Sequence, residues 1–197
     1  MSRFLMIVFL VVSFSASIQA EIRLANSATL DAAQELAGKK IFLGGQKMPK
    51  DSRLEKFLIV GGTLVYLRLY TPQAQATRFA AWAKENFVKL DSTNWQPKFF
   101  NEGILVKALA KSNMENIIRM NRIVCLTKAG DIVEPLWFKA DSSQVSNLAG
   151  ATFLLVNLKA MFPFSLFEPE QELKFYIFSN EGRGETKVKS KEIKKLK

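Results

Sequence analysis

There is no histidine anywhere in this chain, and only one cysteine. The first absence excludes Ser-His-Asp and Cys-His nucleophile pairs and zinc sites built from His and Cys. It also leaves no side chain whose ordinary pKa lies near neutrality. Carboxylates, lysine, tyrosine or an oxygen-bound metal are what remain for catalysis. The second absence excludes an internal disulfide, so stability has to come from packing. Cys125 itself lies within Ile123-Val124-Cys125-Leu126 and reads as a buried core thiol.

Phosphate-cradling and nucleophile motifs are missing too. Gly44-Gly45 and Gly61-Gly62 are isolated doublets without G-x-G-x-x-G, and Gly38-Lys39-Lys40 lacks the rest of a P-loop. No G-x-S-x-G elbow, S-x-x-K pattern or calcium loop occurs. The chain therefore leans away from enzymes, and no catalytic residue, metal ligand or cofactor is assigned. One carboxylate group stands out: Glu168, Glu170 and Glu172 alternate around Pro169. On an extended segment they would share a face, as a solvated rim or, less simply, as the carboxylates of a glycan hydrolase or the ligands of a hard cation.

What is present begins at the N-terminus. Arg3 precedes an unbroken apolar run, Phe4 to Val12, followed by small and polar residues to Ala20. That order predicts a secretory signal peptide over residues 1–20, because the run is too short to span a hydrocarbon core that needs about 20 apolar residues. The expected location is exported, periplasmic or extracellular. Formal charge is +10 for the whole chain, and Arg3 is the one charge in the leader, so about +9 remains after cleavage (10 − 1). A basic exported protein is drawn to acidic partners, anionic lipid or wall polymer. The compartment argues against nucleic acid.

The patterning predicts a mainly β (α+β) fold. Residues 21–186 read as one strand-rich domain, divisible near 101, and 187–197 as a basic C-terminal strand and tail. Thr29 caps a short predicted helix over 30–37, stopped by Gly38, and Ile41-Phe42-Leu43 is a short strand. Residues 46–56 are polar, contain Pro49 and read as loop. Phe57 to Tyr70 is strand, broken or bulged at Gly61-Gly62. Thr71-Pro72 then opens a helix whose stripe is Ala76, Phe79, Ala80, Ala83 and Phe87. Residues 91–101 read as a connector.

From Gly103 onward six strands suggest an antiparallel sandwich, to which the N-terminal half adds strands and one or two helices. They are Ile104 to Leu109, Arg122 to Thr127, Ile132 to Lys139, Thr152 to Leu158, one over Leu173, Phe175 and Ile177, and a last one after Gly184. The second and third form a hairpin around 128–131, and a capping box at Ser112 predicts a helical turn through Ile118. Thr152 to Leu158 is apolar but for Thr152 and Asn157, so both its faces are expected to be covered.

Two segments are candidate binding surfaces. Met161 to Phe167 is almost wholly apolar, and Pro163 keeps it from being a central strand. Its rings, Phe162, Phe164 and Phe167, either close an end of the sandwich or form an exposed partner patch. In the last strand Lys187, Lys189 and Lys191 recur at every second residue and project from one face, as edge protection or as a partner-binding comb. The functional expectation is a non-catalytic exported binding or accessory protein contacting an envelope protein. The alternative is attachment to anionic membrane or wall polymer through charge, and a carboxylate-dependent glycan hydrolase ranks last.

Overall fold

Strand β1 (Arg53–Val60) turns at Gly61-Gly62 into β2 (Thr63–Tyr70), in unbroken antiparallel register from Val60↔Thr63 to Arg53↔Tyr70. The two glycines have φ of +53° and +83°. Two consecutive positive φ values give the turn whose twist matches that of paired strands. The expected break at the glycine doublet is thus a hairpin. The computed structural model describes residues 53–90, 100–113, 117–146 and 152–196. The leader, the helix expected over 30–37 and the strand at 41–43 lie outside the described residues.

Helix α1 (Pro72–Glu85) follows β2. Thr71 caps it: the Ala74 N–H donates to Thr71 Oγ1 at 3.2 Å. Ala76, Ala80 and Ala83 are buried as the stripe requires, but Phe87 lies beyond the helix, at φ +57° and almost fully exposed. Then come β3 (Ile104–Ser112), β4 (Met120–Leu126), the two-residue β5 (Ile132–Val133), β6 (Trp137–Ser146), β7 (Thr152–Phe162), β8 (Leu173–Ser179) and β9 (Gly182–Val188). All pairings are antiparallel. The large sheet has the order β1-β2-β3-β7-β6 and the small one β5-β4-β8-β9.

The sheets face each other across one core. Leu58, Val65, Leu67, Leu69, Val106, Leu158 and Phe162 come from the large sheet, and Ile123, Cys125, Phe175 and Ile177 from the small one. Burial pushes the Cys125 thiol up to about 12, so it is an inert core group as expected. Sheet β1 and β9 edges meet closely. A Cβ at Gly184 would lie 2.2 Å from the Ile59 carbonyl oxygen, so only glycine lets β9 pass there. Lys56 Nζ closes the same seam with Glu192 Oε1 at 2.5 Å.

Several expectations are corrected. Strand β1 starts at Arg53, inside the expected loop, because Glu55 and Lys56 find partners in Arg68 and Glu192 and need no turn to reach water. The segment 132–139 is not one strand. Pro135 has no N–H to donate, and the chain crosses between sheets there, with Leu136 N donating to the Met161 carbonyl at 2.7 Å. Only Ile132 and Val133 pair with β4, and β6 joins the large sheet. The capping-box turn falls partly outside the described residues, while 117–119 are irregular. Ser112 ends β3, and its Oγ accepts from Ile118 N at 3.0 Å.

Helix α1 lies over the outer face of the large sheet. Tyr70 and Leu105, which alternate with the core residues of their strands, pack against Ala74. Gln75 Nε2 donates to the Tyr70 and Gly103 carbonyls, both at 3.3 Å. The rest of that face carries the site described below.

Candidate functional site

The three phenylalanines do not form a surface. Phe162 and Phe167 are buried, and Phe164 is half-buried against the core. Phe162 meets Phe175 edge-to-face with centroids 5.4 Å apart, and Phe167 stacks on Phe175 at 6.4 Å. Phe162 ends β7, Pro163 terminates the pairing, and Phe164–Phe167 make a 3-10 turn that folds over one end of the sandwich. Of the two expectations for this segment, closure of an open end is the one found, and the rings do not form an exposed patch.

The lysine comb is not built either. Strand β9 stops at Val188, and Lys189 precedes a helical turn, α2 (Ser190–Ile193), followed by a 3-10 turn over Lys194–Leu196. Ile193 and Leu196, three residues apart, are both buried in the core. Their anchoring winds the chain, so Lys187, Lys189 and Lys191 do not share an extended face, and the tail is docked rather than frayed. Lys187 instead pairs with Glu172 at 3.6 Å, and Lys194 with Glu170 at 3.0 Å. Glu168, Glu170 and Glu172 are exposed, two of them matched to these lysines. Among the described residues no group of three His, Cys, Asp or Glu could hold a metal ion.

Register assembles a different constellation on the outer face of the large sheet. Arg68 of β2 stands opposite Lys107 of β3, Lys107 opposite Lys159 of β7, and Lys159 opposite Lys139 of β6. Four cations from four adjacent strands thus form one row. Neighbouring strands lie about 4.8 Å apart, so the row spans roughly 15 Å of sheet. Arg68, Lys107 and Lys159 alternate with buried core residues and so point outward, and Lys139, directly opposite Lys159, shares their face.

Arg78 of α1 approaches from above, its guanidinium 4.7 Å from the Tyr70 ring centroid and bonded to the Tyr70 hydroxyl. Among the described residues two carboxylates pair with members of this group of five cations. Glu55 Oε1 accepts from Arg68 Nε at 2.8 Å, and Asp141 lies 3.6 Å from Lys159 Nζ. Burial opposes the charge on Arg68, but its bond to Glu55 and the fields of Tyr70 and Glu55 outweigh that, so its pKa is raised.

Lys107, in the middle of the row, is the least favoured. Burial first, then Arg78, Lys159 and Arg68, push its ammonium down to about 8, against a weaker opposite pull from Asp141. Neither Lys107 nor Lys139 has an acidic partner among the described residues. Beside the row, Asn157 is 8% exposed and donates Nδ2 to Asp141 Oδ1 at 2.8 Å. Its own Oδ1 is buried with no donor, which leaves an acceptor wanting a hydrogen next to the lysines.

Like charges directly opposite one another across a sheet destabilise it. Such an arrangement on a half-covered face is what a site for negative charge requires. The chemistry available is electrostatic: guanidinium forks and ammonium groups that bind and orient oxyanions. Sequence reasoning missed it because register is a long-range property. The one local signal is a lysine flanked by apolar residues within a largely apolar strand, Lys107 in ILVKALAKS and Lys159 in TFLLVNLKAMF.

No protein-family model matches this chain, and neither a curated protein nor a solved structure matches it. The functional reading rests on geometry and charge alone.

Proposed function

We propose that this is an exported, non-catalytic binding protein whose ligand is anionic and is held on the outer face of the large sheet. The observation that carries the reading is the row Arg68–Lys107–Lys159–Lys139 with Arg78 beside it. Among the described residues five cations meet two carboxylates there, and neither is paired with the central ammonium. Arg68 and Lys159 side chains are 32% and 39% exposed, open enough to reach a ligand and covered enough to lose some solvent screening. An arriving anion favours the charged form of Lys107 and relieves the repulsion along the row. Export is supported by the order of charge, apolar run and small residues over 1–20; full-length protein accumulating in the cytosol with its leader intact would remove that part.

The expected partner among envelope components therefore shifts from a protein gripping aromatic rings to a molecule bearing phosphate or carboxylate. Calorimetric titration with inorganic pyrophosphate at low salt tests it. The wild-type chain is expected to bind. The double variant Lys107→Met, Lys159→Met is expected to lose at least about tenfold in affinity, since charge-assisted contacts contribute about 1.5–3 kcal/mol each. Lys187→Met with Lys191→Met is expected to bind like wild type. Binding that ignores the row and depends on the C-terminal lysines would overturn the proposal.

A further inference from the structure

We infer that the ligand of this strip is a linear phosphate chain lying across the strands from Arg68 toward Lys139, rather than a single anion or a flat anionic membrane. The inference rests on the anion-binding reading above and adds the shape of the ligand. A site for one oxyanion converges: several donors point at one small volume. Here the cations are spread along a line, one per strand, through continuous register across β2, β3, β7 and β6. Their repeat is the interstrand spacing, about 4.8 Å, and a chain with recurring negative groups can engage several of them in turn.

The two ends of the row differ. Arg68 is already committed to Glu55, which closes the line on the β1 side. Lys139 is exposed on β6, the edge strand of its sheet, and among the described residues no acid pairs with it; across the register it meets Lys159. The row is thus open at the β6 edge, where a long ligand can run on into solvent.

The middle of the row argues against a membrane. Lys107 is half-buried beside α1, which stands above the sheet and brings Arg78 alongside. A planar bilayer would meet the helix before it reached Lys107. A thin chain can run along the sheet beside the helix and reach Lys107 and Lys159, which are directly opposite each other, together.

The test is a length series on the full chain with orthophosphate, tripolyphosphate and a polyphosphate long enough to span the row, beside oligo-glutamate and phosphatidylglycerol vesicles. Affinity per chain is expected to rise at least about tenfold from orthophosphate to the spanning polymer, as linked contacts share one binding event. Lys139→Met is expected to remove most of that gain, so that the spanning polymer binds this variant little better than tripolyphosphate does. Equal affinity at every length, or a gain indifferent to Lys139, overturns the linear-chain inference and leaves a single-anion site. Stronger binding to oligo-glutamate overturns the assignment to phosphate, and vesicle binding that depends on Lys107 overturns the exclusion of membrane. If no phosphate species binds at low salt, the anion-binding reading itself fails.

Discussion

Phe175→Ala is expected to lower the unfolding free energy by about 3–5 kcal/mol, the range for removing a buried aromatic ring without collapse of the surroundings. Phe175 is fully buried between the sheets, edge-on to Phe162 and stacked with Phe167. The 161–167 segment is therefore core, and its rings lose their common partner together. Urea denaturation gives the value, and Phe175→Leu, which keeps most of the volume, should cost much less. A loss below about 1 kcal/mol for the alanine variant would mean that the segment is a loosely held flap, and that its rings are available to a partner after all.

Lys107→Met is expected to do the opposite: make the protein more stable while weakening its ligand binding. Methionine keeps the apolar stem and removes the charge. The charge is unfavourable where it sits, facing Arg68, Arg78 and Lys159 with only Asp141 in its favour. Displacement from 10.5 to about 8 would correspond to several kcal/mol in full. Lys107 is open enough to water that screening reduces this to on the order of 1 kcal/mol.

The pH dependence has a definite sign. The folded-state pKa lies below the unfolded one, so between about 8 and 10.5 the unfolded chain binds more protons and stability rises with pH. Below about 8 both states carry the charge and the penalty is complete. Wild type should gain on Lys107→Met from pH 8 upward and draw level near pH 10.5. A variant less stable than wild type at pH 7, with parallel pH profiles, would show that the ammonium is already satisfied and is not waiting for a ligand.

The combination of a stabilised fold and lost binding is the signature of a residue retained for function against the interest of the fold. It also separates the strip from ordinary surface charge, where substitution changes stability by only about 0.5 kcal/mol.

Much of the architecture was legible because it follows from local spacing. Alternation marks β2, β3 and β8, Thr71-Pro72 marks the start of α1, and the apolar run around Cys125 marks a core strand. The glycine doublet marks a discontinuity, although a bulge and a hairpin look alike until the partner strand is known. The mainly β, antiparallel two-sheet fold was legible from the same patterns.

What was hidden depends on contacts distant in sequence. Strand β6 reads WFKADSSQVS, largely polar, because it is an exposed edge and buries almost nothing. Its identity comes from pairing with β7. The start of β1 was masked by charges whose partners are 13 and 136 residues away. The alternating lysines at 187–191 imitate a strand, yet Ile193 and Leu196 reach the core only if the chain winds into a turn. The cationic row is the extreme case. Its members come from four strands, and nothing local says that they share a line.

The central claim, that negative charge is received on the row and not elsewhere on a broadly basic surface, is tested most directly by lysine-modification mapping. Acetylation of each lysine is read by mass spectrometry with and without saturating polyphosphate at fixed ionic strength. The expected result is protection at Lys107, Lys159 and Lys139, with Lys187, Lys191 and Lys194 unchanged. Protection confined to the C-terminal lysines, or spread evenly over the surface, would contradict the account.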